Sequence, residues 1–353
     1  MIAALTQGPV QKLAALSAPE VVGKGEQVFA AIDCGSSSFK LLVEKRGVDG
    51  RYAVVLDRKI GAALGKDIAS DNVLPQANQD RAFEALRRFL AEAKTFGIDA
   101  ADIPLIATAV VRNTTNGAAF MQQVRDELGL VQARVLQGAE EAKYGFLGAL
   151  VGEPTDDPAR RYATLDLGGG SFQLAVGTRT TYEKGASQQV GSNYVLEKLL
   201  GPGTLDAAKF AHADARLSIE APMPLAPAEV QGRTLVATGG ISKFLRVHFG
   251  AVTITRAEID ALRREYGALT VEARGPLLQQ GKTPKQLVAL GIDTAEGAKD
   301  YGAKLPASTT LLLHLMQGLG VTHVRVSSTD ARHALNRESA NRPHDAKPLA
   351  ASR

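Results

Sequence analysis

A gapless internal repeat constrains this 353-residue chain more than any other feature. Residues 29–43 (FAAIDCGSSSFKLLV) align with residues 162–176 (YATLDLGGGSFQLAV). The copies share Ala30/Ala163, Asp33/Asp166, Gly35/Gly168, Ser38/Ser171, Phe39/Phe172, Leu41/Leu174 and Val43/Val176. Each opens with an apolar run, breaks at Asp-x-Gly followed by small residues, and resumes with alternating apolar positions. That pattern predicts a strand, a tight turn of little side-chain bulk, and a second strand. Small residues let backbone N–H groups approach an anion closely, and phosphate is the usual occupant. An Asp at the strand end suits a hard cation or its water shell. One such loop would read as a flexible turn. Two of them, 133 positions apart, predict duplicated domains facing one cleft.

The segments between the copies fit an α/β chain. Residues 54–60 predict a third strand. Residues 78–96 predict a helix with Phe83, Leu86, Leu90 and Ala93 on one face and an i,i+4 pair, Glu84 and Arg88, on the other. A buried strand over 104–109, a helix through Leu128, a strand over 132–136 and a helix over 139–150 follow. The charged loop GEPTDDPARR (152–161) then separates the halves. Strands alternating with helices in this way predict two mixed sheets flanked by helices. The boundaries read from this pattern are a tail over 1–27, a first domain over 28–150, a second over 151–337 whose end packs back on the first, and a tail over 338–353. The first 27 residues read as a tail or short helix; they lack the basic start and unbroken apolar core of a signal peptide.

Composition removes several classes of function. One Cys excludes an internal disulfide and a multi-cysteine zinc site. No apolar run approaches the ~20 residues of a membrane span, so a cytoplasmic protein without a membrane partner is expected. The formal charge of +4, from 41 basic and 37 acidic residues, suits an anionic ligand but is weak for nucleic acid. With no Trp and 5% aromatics, base stacking is not expected either. GAALGKD (61–67) is one residue short of a phosphate-binding P-loop and lacks the hydroxyl after Lys66. The six His are scattered.

Taken in order, the motifs resemble the exopolyphosphatase / guanosine pentaphosphate phosphohydrolase (Ppx/GppA) family of the actin, sugar-kinase and heat-shock-chaperone superfamily. IDCGSSSFKLLV and LDLGGGSFQLAV resemble its two phosphate loops, and ATAVVRNTTNG (107–117) its strand-end segment with Arg and Asn. GAEEAKYGFLGAL (138–150) resembles its Glu-Glu-Ala helix, ATGGISKFL (237–245) a later Gly-rich loop, and VRVSSTDARHAL (324–335) its terminal strand and turn. The resemblance runs from about Phe29 to Leu335. It implies two ribonuclease H-like (actin-like) domains with the active site in the cleft between them.

It also implies a Mg²⁺-dependent phosphoanhydride hydrolase that acts on inorganic polyphosphate or guanosine pentaphosphate, and a possible homodimer. Glu141 would activate the water. Glu140 more simply complements the helix N-terminus. Asp33 and Asp166 would hold metal, with Gln173 where the family has a metal-binding Glu. Gly35, Ser36, Ser37, Ser38, Gly168, Gly169, Gly170, Ser171, Gly239 and Gly240 would cradle phosphate, with Lys40 and Arg112 as basic partners. Ser37 stands where the family usually has Asn, Tyr194 replaces a phosphate-binding Arg, and Arg332-His333-Ala334 replaces Arg-Glu-Gly. The family's larger members carry a further helical domain, so processive action on long chains is not expected here. The rival expectations are a small-molecule kinase of the same superfamily and a regulatory protein that binds polyphosphate or nucleotide without cleaving it.

Overall fold

The computed structural model describes residues 23, 25–68, 71–154, 156–292 and 294–342. The expected tail over 1–27 lies outside them apart from its last few residues, and Gln27 already begins a strand.

The first sheet is built from β1 (Gln27–Cys34), β2 (Phe39–Arg46), β3 (Tyr52–Ile60), β4 (Leu105–Ala107) and β5 (Ala133–Val135), in the order β3-β2-β1-β4-β5. The first three form an antiparallel meander, and β4 and β5 run parallel to β1. β1 and β2 are buried almost continuously because helices cover both faces, whereas edge strand β3 stays half-exposed along its length. Helix α1 (Gln76–Lys94) lays Ala82, Phe83, Leu86 and Phe89 on the sheet, at the spacing of one helix face. The single helix expected through Leu128 is instead two, α2 (Ala109–Arg112) and α3 (Gly117–Leu128). The Thr114 hydroxyl donates back to the Val110 and Val111 carbonyls, so this Asn/Thr-rich stretch satisfies the backbone locally and breaks the helix.

Helix α4 (Gly138–Ala149) leads to the second sheet. That sheet repeats the plan with β6 (Arg161–Leu167), β7 (Phe172–Thr178), β8 (Tyr182–Gln188) and β9 (Thr234–Gly239), and adds β10 (Thr253–Thr255) and β11 (His323–Val326). The order is β10-β11-β9-β6-β7-β8, with β9 and β11 parallel to β6. The helices of this half are α5 (Ser192–Tyr194), continued by a π-helical turn over Val195–Leu200, α6 (Ala207–Glu220), α7 (Pro227–Val230), α8 (Gly240–Phe249), α9 (Arg256–Gly267), α10 (Val271–Gln279), α11 (Pro284–Ala289) and α12 (Ala295–Gly318). Helix α13 (Ala331–Asn341) follows β11 as the last helix among the described residues.

Two helices cross between the halves. α4 precedes the 152–161 loop in sequence yet packs its Ala142, Phe146 and Ala149 on Tyr162, Ala175 and Val236 of the second sheet. α13 follows the second sheet yet packs Leu335 on Ala31, Ile106 and Leu136 of the first. They pass so closely at Gly148 that a Cβ there would lie 2.2 Å from the Asp330 carbonyl oxygen. The helix extends through Glu338, read from sequence as the start of a tail, to Asn341. Glu338 is held by the Tyr144 hydroxyl, 2.6 Å away.

Candidate active site

The repeat is reproduced to the residue. In β1–β2, Asp33 pairs with Lys40 and Cys34 with Phe39; in β6–β7, Asp166 pairs with Gln173 and Leu167 with Phe172. Each hairpin is closed by the same turn bond, Gly35 N–H to Ser38 O at 3.2 Å and Gly168 N–H to Ser171 O at 3.0 Å. The GAALGKD stretch braces the first loop from behind, Ala63 and Gly65 donating to the Ser37 and Ser36 carbonyls. The two loops face each other at close range. Cβ atoms on Gly169 and Gly170 would lie 2.7 Å from the Ser37 and Ser36 hydroxyl oxygens, so a larger residue there would have to displace those hydroxyls.

One cleft collects Asp33, Gly35, Ser36, Ser37, Ser38, Lys40, Glu141, Asp166, Gly168, Gly169, Gly170, Ser171, Gln173 and Gly239. Gly240 lies one step back, its carbonyl accepting from the Tyr301 hydroxyl at 2.5 Å. Arg112, expected as a phosphate clamp, turns instead to Glu141 (Nη1–Oε2 3.2 Å) and to the Leu136 carbonyl (2.6 Å). Both side chains of that ion pair are mostly buried.

Glu141 sits in the first turn of α4. Its other oxygen accepts from Ser171 Oγ at 3.2 Å and from Gln173 Nε2 at 3.0 Å. Burial raises its carboxyl above the ordinary value, outweighing the opposite pull of Arg112 and Ser171. Exposed Glu140, by contrast, accepts the Gln137 N–H at 2.9 Å and caps the helix. Gln173 departs from its expected role as a metal ligand. Its amide nitrogen faces the Glu141 carboxylate and also donates to Ser171 and Ser187 at 2.9 and 3.0 Å, so it orients the carboxylate.

The two aspartates differ. Asp33 is paired with Lys40 at 3.1 Å. Burial works against the Lys40 ammonium, but Asp33 and Asp330 more than offset it and hold it above its usual range. Asp166 accepts no hydrogen bond from any described residue. Burial, and then Asp33, Asp330 and Glu141 against the pull of Lys40, push it up to about 7. Mg²⁺ is commonly held by one or two carboxylates together with substrate phosphates and waters, and Asp166 with Asp33 fits that donor set. Among the described residues no group of three or more His, Cys, Asp or Glu is close enough to hold a metal unaided.

Sequence reasoning missed two features. Asn193 Nδ2 donates to Ser37 Oγ at 2.9 Å and ties the two loops together, while the neighbouring Tyr194 points away to Glu220. Its signal was the Gly-Ser-Asn segment after β8. The second is a buried ion cluster beside Lys40. Fully buried Arg332 bonds Asp330 through Nε and Nη2 (3.0 and 2.7 Å) and Asp57 through Nη1 (2.7 Å); Lys243 reaches Asp57 at 2.9 Å and Asp330 at 3.5 Å.

Two facing loops of small residues, each closing the first hairpin of its own mixed sheet, define a two-domain α/β protein with one shared cleft. Comparison with known proteins narrows the class. The Ppx/GppA phosphatase family model matches residues 43–269, and the chain belongs to that family. It is 30% identical to exopolyphosphatase 2 of Mycobacterium tuberculosis over 312 residues, 85% of this chain and 95% of that protein. Two crystal structures share the fold. An Aquifex aeolicus Ppx/GppA member superposes with a TM-score of 0.69 at 18% identity, covering 90% of this chain and 99% of that one. An exopolyphosphatase from Cytophaga hutchinsonii gives 0.72 at 17% identity, covering 89% and 98%. Among the described residues no helix is long and apolar enough to cross a membrane.

Proposed function

We propose that the protein hydrolyses the terminal phosphoanhydride of inorganic polyphosphate, with guanosine pentaphosphate as the alternative substrate, and releases orthophosphate. The observation that carries this reading is the Glu141 carboxylate, fixed between Arg112, Ser171 and Gln173 and facing the cleft between the two loops. Glu141 takes a proton from a water as the water oxygen bonds to the terminal phosphorus. The bridging P–O bond breaks, and the electron pair leaves on the shortened chain. A base raised toward working pH by burial suits this step. The loop N–H groups and the Ser36, Ser37 and Ser171 hydroxyls would hold the phosphoryl oxygens, and Lys40 balances charge from the first-domain side. Mg²⁺ held by Asp166 and Asp33 would supply charge neutralisation at those oxygens.

The test is orthophosphate release from polyphosphate and from guanosine pentaphosphate, with Mg²⁺, for the wild type and Glu141→Gln. Release that collapses in the variant supports the hydrolase and its base. Binding of either compound without release would overturn the reading in favour of a non-cleaving sensor.

A further inference from the structure

The last turns of three helices meet in the second domain. Val247 and His248 belong to the end of α8, Glu265 and Tyr266 to the end of α9, and Leu277 to the end of α10. With the turn into α11 they line a pocket of about 240 Å³. It shares no lining residue with the cleft between the two loops. Packed rings support it: Phe244 stacks on His248 at 5.3 Å between centroids and meets Tyr266 edge-on at 6.0 Å. Phe244 and Tyr266 are buried, so this support is in place before any guest arrives.

The charges around this pocket are opposite and not joined. Lys282, in the turn into α11, lies within electrostatic range of Glu265, yet neither makes an ion pair or a side-chain hydrogen bond with any described residue. The Lys282 ammonium rests 5.3 Å from the centre of the Phe244 ring. Burial draws it below its ordinary value, and Glu265 opposes that. Burial first, and then Lys282, hold the His248 ring below its ordinary value, so it stays an uncharged imidazole at neutral pH. Gln286 engages only its carbonyl oxygen, which accepts from the Thr283 N–H and hydroxyl at 2.8 and 3.1 Å. One cation, one anion and a free amide N–H₂ therefore face a pocket with apolar walls at half-buried Val247 and Leu277.

We propose that this pocket binds a free aliphatic α-amino acid, its carboxylate on Lys282, its ammonium on Glu265 and its side chain against Val247 and Leu277. A simple anion would be set against Glu265 and a simple cation against Lys282, whereas a zwitterion meets both groups with the opposite sign. The three helix ends strengthen the ammonium pole, because backbone dipoles leave partial negative charge at helix C-termini. At ~30 Å³ per water, 240 Å³ is the volume of about eight waters, which suits a solute of about that many non-hydrogen atoms, the size of valine or leucine. The Glu265 carboxylate repels polyanions, so the site is not a further phosphate subsite and stands independently of the hydrolase reading.

Calorimetric titration of the full chain with L-valine and L-leucine tests this, beside 4-methylpentanoate, which lacks the amine of leucine, and 3-methylbutylamine, which lacks its carboxylate. At least one amino acid should bind with a Kd of about 1 mM or tighter, and each half-analogue about tenfold more weakly. Lys282→Met and Glu265→Gln should each weaken amino-acid binding about tenfold, since a charge-assisted contact is lost. Both variants should melt with the wild type, because neither group is paired in the free protein. A variant that melts lower would assign its charge to the fold and overturn the site. So would the absence of binding by either amino acid at about 10 mM, half-analogues that bind as well as leucine, or an affinity unchanged in both variants.

Discussion

Replacing Arg332 by Met should destabilise the protein strongly at pH 7 and much less at pH 3. Arg332 is fully buried and makes three bonds of 2.7–3.0 Å to Asp330 and Asp57. Desolvation alone would raise both carboxyls. Arg332 and Lys243 overcome it, holding Asp57 down to about 2 and Asp330 well below its usual range. For Asp57, a drop from 3.8 to about 2 corresponds to about 2 kcal/mol of stability at 1.36 kcal/mol per unit. The folded pKa is depressed, so this contribution is complete above about pH 4 and vanishes as the pH falls through about 2. Asp330 contributes with the same sign. Removing one partner of a buried cluster typically costs about 3–5 kcal/mol because a charge is left without compensation. We expect a loss of that size at pH 7. The deficit should shrink as pH falls, first as the stranded, desolvated carboxyls of the variant protonate and then, below about pH 4, as the wild type loses its own contribution. Urea unfolding of both proteins at pH 7 and pH 3 measures this directly. A deficit under 1 kcal/mol at pH 7, or one as large at pH 3 as at pH 7, would refute the electrostatic account.

Three further outcomes are expected. Glu141→Gln should lower kcat for orthophosphate release about 10²–10⁴-fold while substrate binding, read by calorimetry, persists. In the wild type the rate should fall on the acidic side as Glu141 protonates, at a pH above that of an ordinary glutamate, and Arg112→Leu should move that limb to still higher pH because the cation that opposes protonation is gone; a limb shifted to lower pH in the pH–rate profile would contradict the ion pair. Gly148→Val should cost several kcal/mol in thermal unfolding, since its side chain meets the Asp330 backbone where α4 and α13 cross.

Much of the site is local and therefore readable along the chain. Asp33, Gly35 and Ser38, with Asp166, Gly168 and Ser171, are set by strand, turn and register within a dozen residues, and the apolar alternation around them dictates hairpins. The position of Glu141 at the start of α4, and the capping by Glu140, also follow from neighbours three and four residues away.

The remainder depends on contacts between residues far apart in sequence. Periodicity states that α4 and α13 each have an apolar face, but not which sheet each face covers, and the two helices cross to the opposite halves. Arg112 carries the same five donors whether it meets a phosphate or a carboxylate; the approach of α4 turns it to Glu141. Gln173 and Glu141 are 32 positions apart, and Arg332 and Asp57 are 275 apart. Lys59 reads as an ordinary charge on an edge strand until Tyr301 of α12 in the other domain comes to lie beside it. The sequence by itself determined two hairpins, two turns of small residues and a glutamate at a helix start. Only the tertiary structure decided which charges pair with which, because pairing in a partly buried cleft depends on distances that the chain order does not contain.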